Sequence, residues 1–380
     1  MNAPHRADHL VIGGGLAGSM LAIQLATAGR NVTLLERETR PHHKVCGEFL
    51  SREAIHYLHL AGIDPIALGA QTIRSVRVAA KHRVVASRLP FTAQSLSRCV
   101  LDEALLRRAE QQGANVVRGA HVETLAIGHN AWQARLRGGE LWNAPTVFLA
   151  SGKHDVRGLE RMSAPAHSKH ADMVGFKLHW HLAPAQTDAL RDHMDLFLFK
   201  GGYGGLSLVE GDAANLCLVV RRTVLRSRGG WPLLLAQIQI ENEHIAQRLA
   251  AATPLWERPL AISSIPYGYL AGRVNGLWSI GDQAAVIPSF TGDGMSIALH
   301  SAKLAAEMFM AGKSADAYHR QLHKHLNLSM RLSVALSRTM VSNLGRSIAP
   351  AGMQIFPAAI HWIARATRIP ERAITASESR

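Results

Sequence analysis

Residues 8–38 read DHLVIGGGLAGSMLAIQLATAGRNVTLLERE: a strand, a glycine-rich turn, an apolar helix and a second strand written end to end. The run Leu10–Ile12 is short, apolar and followed at once by turn residues, which predicts a buried strand. Gly13, Gly15 and Gly18 then stand in the G-x-G-x-x-G spacing, and each has its own physical task. The first makes a tight turn, the second lets a pyrophosphate reach the backbone, and the third lets helix and strand pack closely. Leu16 and Ala17 open the helix, whose first N–H groups have no partner within it and suit an anion. The second strand, NVTLLE, ends in Glu36, followed by Arg37. A carboxylate about twenty residues after the turn accepts hydrogen bonds from a ribose diol. The stretch therefore predicts a dinucleotide-binding unit, and Glu36 suits the adenosine ribose of either FAD or NAD.

The rest of the composition narrows the class. A chain of 380 residues with 47% apolar content exceeds one small core and predicts two joined domains. Its net charge of +14 suits a polyanionic cofactor, an anionic membrane surface or nucleic acid. An aromatic content of 6% and the lack of a nucleic-acid module argue against the last. Cys46, Cys99 and Cys217 are widely spaced and odd in number, so neither a disulfide framework nor a zinc site is expected. The segment HLVIGGG is used as strand and turn, not as a secretory signal, and the expected location is cytoplasmic, with peripheral membrane contact as a variant. Residues 348–364, IAPAGMQIFPAAIHWIA, hold two prolines, Gln354 and His361, which argues against a spanning helix. His42 and His43, His179 and His181, and His319, His323 and His325 fall in no metal-binding framework, and no metal is expected. A G-x-S-x-G elbow is also missing, so hydrolase chemistry has no foothold.

Residues 275–306, NGLWSIGDQAAVIPSFTGDGMSIALHSAKLAA, resemble the second FAD fingerprint of the flavoprotein superfamily that includes p-hydroxybenzoate hydroxylases and geranylgeranyl reductases. The resemblance implies that Gly281 and Asp282 meet the ribityl chain and pyrophosphate. It also implies that Pro288, Gly292, Asp293, Gly294 and Met295 face the flavin. The helix mouth there would stabilise negative charge on the reduced ring. Residues 95–122, SLSRCVLDEALLRRAEQQGANVVRGAHV, resemble the family's R-x-x-L-D helix, which places Arg98 near the ribityl or phosphate groups and leaves Asp102 to pair locally.

Other segments depart from the family. Ser151 and Gly152 stand where aromatic hydroxylases usually carry Asp-Gly, a motif tied to FAD and nicotinamide binding. Electrons are accordingly expected from NAD(P)H or from a reduced partner protein. HHKVCGEFLSREA resembles the K-x-C-G segment of geranylgeranyl reductases, which implies that Cys46 and Gly47 lie over the flavin and Glu48 near the substrate entrance. Cys46 is a weak candidate proton donor there, against the plainer reading of a small packed residue. KGGYGGLSLVEG keeps only Tyr203 of the reductases' substrate motif, giving a substrate-proximal candidate, or is an ordinary hairpin bent at Gly204–Gly205.

Alternation in TIRSVRVAA, MVGFKLHWHL, MDLFLFKG and NLCLVVRR predicts strands of one sheet assembled from distant pieces. The expected architecture is an α/β Rossmann-type (GR2) FAD-binding domain with an inserted mixed β-sheet substrate domain and a helical C-terminal region. The expected boundaries are 1–70, 96–160 and 261–310 for FAD binding, 71–95 and 161–260 for substrate, and 311–380 for the helical region, which is basic and amphipathic over residues 319–346. The family points to an FAD-dependent oxidoreductase. A monooxygenase acting on an apolar or aromatic small molecule in secondary or lipid metabolism is favoured, with a geranylgeranyl-reductase-like enzyme or a non-catalytic flavin-binding regulator as alternatives.

Overall fold

The computed structural model describes residues 3–159, 161, 172–272, 276–342, 366–370 and 373–374. Five parallel strands run in the order Trp278–Ser279, Thr146–Leu149, His9–Ile12, Val32–Glu36 and Asn115–Arg118. A parallel sheet must be covered on both faces, which is why its strands are apolar runs and not alternating ones. One face packs on the helices Leu16–Thr27, Arg98–Gln111 and Gly294–Met310, with Leu21, Leu105 and Leu299 fully buried among them. The other is covered by an antiparallel meander, Val122–Ile127, Trp132–Leu136 and Leu141–Ala144. Its strand Trp132–Leu136 alternates buried and exposed, and Trp132, Ala134 and Leu136 join Leu10, Ile12 and Leu149 in one core.

A second, mixed sheet of nine strands is gathered from distant parts of the chain. Its order is Thr253–Pro254, Met173–His181, Ala214–Arg221, Gly202–Leu208, Asp192–Phe199, Gln71–Ala80, Arg83–Ser95 and Phe49–Leu50, with Leu260–Ser263 also pairing to Met173–His181. Asp192–Phe199 runs parallel to Gln71–Ala80, while its other neighbour is antiparallel. Phe176, Leu178, Phe197, Leu216 and Leu218 point to one face, where the helices Trp231–Glu241 and Glu243–Leu249 cover them. The opposite face carries Val76, Val78, Leu196 and Val219 towards the nucleotide-binding half. Phe49–Leu50, within the range expected to belong to FAD binding, is an edge strand of this sheet.

The four alternating segments all lie in the mixed sheet, but the expected bend at Gly204–Gly205 does not form. The turn falls at Lys200–Gly201, and Gly204 pairs with Phe197 inside a regular ladder. The reason is steric: a Cβ at Gly204 would lie 2.2 Å from the Phe197 ring, so the glycine lets the ring lie flat across the strand. After the helix Ala315–Val341 the basic region continues outside the described residues, as does all of residues 348–364. Among the described residues no helix is long and apolar enough to cross a membrane.

Gly204→Val should cost about 1–3 kcal/mol in urea unfolding, the range for overpacking a filled site. Adding Phe197→Ala to the same chain should lessen the penalty of the valine, because it removes the atom the valine strikes.

Candidate active site

Loops from both halves converge on one cavity of about 520 Å³. At its nucleotide end the glycine turn is closed by backbone contact. Gly13 has φ +105°, and a Cβ there would lie 2.5 Å from the Ala150 carbonyl oxygen; at Gly18 a Cβ would lie 1.9 Å from the Gly13 oxygen. Gly15 caps the helix Leu16–Thr27 without any side-chain cap, so the first amides stay open. Its missing side chain points to Arg98 Nη2 at 3.4 Å and Lys44 Nζ at 3.6 Å. Helix dipole, guanidinium and ammonium therefore face one spot, a fit for a diphosphate.

Asp102 holds those two cations in place. Lys44 Nζ donates to Asp102 Oδ2 at 2.8 Å, and Arg98 donates through Nε at 2.7 Å and Nη2 at 2.9 Å. Burial alone would raise the Asp102 carboxyl, but Arg98 and Lys44 outweigh it and bring it down to about 2. Glu36 is held as firmly: Oε2 accepts from the Gly14 amide at 2.6 Å and Oε1 from the Glu38 amide at 2.9 Å. Leu16, Ala17 and Arg37 complete this end of the wall.

Further along, Gly281 and Asp282 reach the cavity, and a Cβ at Gly281 would lie 2.9 Å from Ala17 Cβ. The two glycine-lined segments, distant in sequence, thus touch. Ser151 and Gly152 line the same wall, and Gln283 Nε2 ties that loop down through the carbonyls of Gly152 at 2.8 Å and His154 at 3.0 Å. Gly292, Gly294 and Met295 line the cavity at the mouth of the helix Gly294–Met310. Gly292 has φ +73°, and a Cβ there would strike Phe49 at 2.8 Å. Gly18, Pro288 and Asp293 do not reach the cavity surface: Gly18 packs on Gly13, and Asp293 turns to Arg368.

The loop Lys44–Glu48 forms another wall, with Cys46, Gly47 and Glu48 all on the cavity. Glu48 is completely buried, has the left-handed φ of +58°, and gathers three donors. These are Lys177 Nζ, His179 Nε2 at 2.9 Å and the Arg98 amide at 2.7 Å. Burial works to raise this carboxyl, but Lys177 and His179 hold it below its ordinary value. Ligand atoms of His43, Glu48 and His179 lie within 4.8 Å of one another, yet the Lys177 ammonium already sits on the same carboxylate. A divalent ion there would have to compete with the ammonium of Lys177, and the group as it stands is a hydrogen-bonded ion pair. Burial, with Lys177 and His179 adding to it, lowers His43 to about 4 and keeps it neutral near pH 7.

Tyr203, expected near the substrate, does not line the cavity. It is buried behind Ser289, with its hydroxyl 3.2 Å from Ser289 Oγ and its ring edge-on to Phe290. Ser289 and Tyr267 are on the wall instead, with 2.8 Å between their hydroxyl oxygens.

Residues 6–147 match the FAD binding domain family. The chain is 26% identical over 327 residues to a menaquinone reductase of Mycobacterium tuberculosis (strain CDC 1551 / Oshkosh), a match covering 81% of this chain and 78% of that one. It is 26% identical over 322 residues to digeranylgeranylglycerophospholipid reductase 2 of Methanopyrus kandleri, covering 79% and 76%. In three dimensions it is similar to the myxobacterial chondrochloren halogenase, an FAD-dependent enzyme, with a TM-score of 0.75 at 21% identity over 98% of this chain and 93% of that one. These similarities fit an FAD-dependent oxidoreductase of the kind that includes geranylgeranyl reductases and flavin monooxygenases, with residues 6–147 carrying the FAD-binding domain.

In this flavoprotein several wall and supporting residues carry no local sequence signal, namely Lys177, His179, Tyr267 and Arg368, whereas Ser289 lies within the second FAD fingerprint. Lys44 had one, since it belongs to the K-x-C-G segment. Cys217 also lines the cavity, where burial, with Cys46 adding to it, pushes its thiol up to about 12, so it stays protonated.

Two outcomes follow from the phosphate cradle. Arg98→Ala should weaken FAD binding about tenfold or more, the size of a lost charge-assisted hydrogen bond, as read by flavin fluorescence titration of the apoprotein. Asp102, lowered from 3.8 to about 2, contributes stability that is fully present above pH 4 and lost as pH falls towards 2. That contribution is about 2 kcal/mol. Asp102→Asn should flatten this part of the acid limb in pH-dependent urea unfolding.

Proposed function

We propose that this flavoprotein oxygenates a largely apolar small molecule that carries one oxygen substituent on an electron-rich ring. The observation that supports the substrate class is the wall built from Val76, Val78, Leu89, Leu196, Val219, Ile262 and Ile265, which continues directly from the FAD cradle. Such a surface gains roughly 25 cal/mol for each Å² of apolar contact and excludes water from the reacting centre. Bound FAD supplies two-electron chemistry, with electrons drawn from NAD(P)H or a reduced partner protein.

The chain's own residues supply binding and orientation. Ser289 and Tyr267 put a hydroxyl pair on an otherwise apolar stretch of wall. One polar point on an apolar wall fixes the orientation of a ligand that has a single oxygen at one end. A ring bearing that oxygen as a hydroxyl is rich in electrons, which favours electrophilic oxygen transfer to its carbon.

A second reading, hydrogenation of a carbon–carbon double bond, is supported by the similarity to two proteins named as reductases over more than three quarters of their lengths. The two part on the mass of the product. The reduced protein, exposed to labelled dioxygen with candidate phenols and prenylated quinones, should yield a product carrying one labelled oxygen by mass spectrometry. A product formed anaerobically with two added hydrogens would establish reduction instead. Bound FAD with no turnover of either kind would point to a flavin carrier.

Leu196→Trp, which fills the apolar wall away from the cradle, should raise KM at least tenfold while FAD stoichiometry, read from the visible spectrum, stays unchanged.

A further inference from the structure

An N-terminal aspartate on a helix ordinarily turns its carboxylate onto the first free amides and caps them. Asp293 occupies that position on the helix Gly294–Met310, yet it makes no side-chain cap bond. Its backbone sits at φ −94° and ψ −1°, outside the extended conformation that capping uses. The carboxylate is instead held by Arg368, whose Nη1 lies 2.8 Å from Asp293 Oδ1. Arg368 comes from the far C-terminal part of the chain, and Thr367 and Arg368 both reach the cavity wall.

The arginine is firmly seated. Its guanidinium carbon lies 4.4 Å from the centre of the Phe91 ring and 5.9 Å from that of Phe49. Phe49 is the ring against which Gly292 of the flavin loop is pressed. Ile369 and Ile374, just beyond, are buried in the core of the nucleotide-binding half. Glu53, in the first turn of the helix Arg52–Leu60, places a second buried carboxylate 3.4 Å from the same Nη1.

We propose that Arg368 is a positioning residue for the flavin: it draws the Asp293 carboxylate off the mouth of the helix Gly294–Met310, so that the open amides and positive dipole end act on the ring. The proposal rests on the reading that the flavin lies at this mouth. Among the described residues two carboxylates and one guanidinium meet here, so losing the arginine's charge leaves the acidic pair without that counter-charge. Burial pushes the Asp293 carboxyl up to about 6, with Arg368 opposing the rise and Glu53 adding to it. At pH 8 the group is ionised, and its charge competes with the negative charge a reduced flavin develops.

The test is the midpoint potential of the bound FAD at pH 8, measured by equilibration with reference dyes in full-length protein. Arg368→Gln should lower it, since an uncompensated carboxylate then faces the helix mouth. Asp293→Asn should raise it, and Arg368→Lys should stay close to the parent. Opposite shifts from the two neutralising changes separate charge control from packing. If Arg368→Gln folds poorly, the Asp293→Asn and Arg368→Lys pair decides. Potentials equal to the parent's in Asp293→Asn, or shifts of the same sign in both neutralised variants, overturn the proposal. A parent that binds no FAD would overturn the underlying reading, and this is seen before any variant is made.

Discussion

One buried carboxylate sets the distance between the two halves of the molecule. Glu48 takes an amide from the start of the helix Arg98–Gln111, an ammonium and an imidazole from the mixed sheet, and is wholly removed from water. A buried charge is tolerated only when its partners are in place, and losing one leaves the others uncompensated. The FAD cradle and the mixed sheet are therefore held in one relation by a contact that is costly to break. Its left-handed backbone, unusual for a residue with a side chain, is the conformation that turns the carboxylate inward between them. Asn215 adds a second tie, donating to the Cys46 carbonyl at 3.1 Å.

The six residues Lys44–Phe49 thus act as a bracket. Lys44 reaches the phosphate cradle, Glu48 the mixed sheet and Phe49 the flavin loop, where it fills the space left by Gly292. Charge is sorted along the cavity by the same means. Lys44 and Arg98 stand at the end open to helix amides, while the far wall is built from aliphatic side chains. The excess of 42 basic over 28 acidic residues is satisfied at this site by only a few of them, so composition pointed to an anionic ligand without saying where it sits.

How much of this was legible in the sequence depended on distance along the chain. The turn Gly13–Gly18 with Glu36 is a local pattern whose every residue answers a local steric or hydrogen-bonding need, and it could be read directly. The strands of the mixed sheet announced themselves by alternation, but their order could not, because pairing between Gln71–Ala80 and Asp192–Phe199 joins pieces far apart. Arg83–Ser95 offers no such signal, because its exposed positions mix Arg83, Val84, Ala86, Arg88 and Thr92 and the run is only weakly apolar. In Phe176–His179 the alternation was correct and its usual meaning was not. Phe176 and Leu178 face the core as expected, but Lys177 and His179 face Glu48, and both are buried. Polar positions on a strand normally mark the solvent side. Only the tertiary structure shows that this side faces the other half of the protein. Arg368 was hidden for a similar reason: nothing in a lone arginine near the C-terminal end points to Asp293.

The cavity is the part of the interface between the two halves that side chains leave unfilled. Its cradle depends on close contacts, to backbone at Gly13 and Gly18 and to the Ala17 Cβ at Gly281, that admit almost no substitution. Its far wall depends on Val76, Val78, Leu196 and Val219, side chains projecting from a sheet whose ladder is indifferent to their size. Changes there alter which molecule fits without disturbing how the dinucleotide is held. A halogenase and this chain can therefore share a fold over nearly their full lengths without that fold fixing the chemistry of either. What the reaction is must follow from what the aliphatic wall and the Ser289–Tyr267 pair admit next to the flavin loop, and not from the cradle.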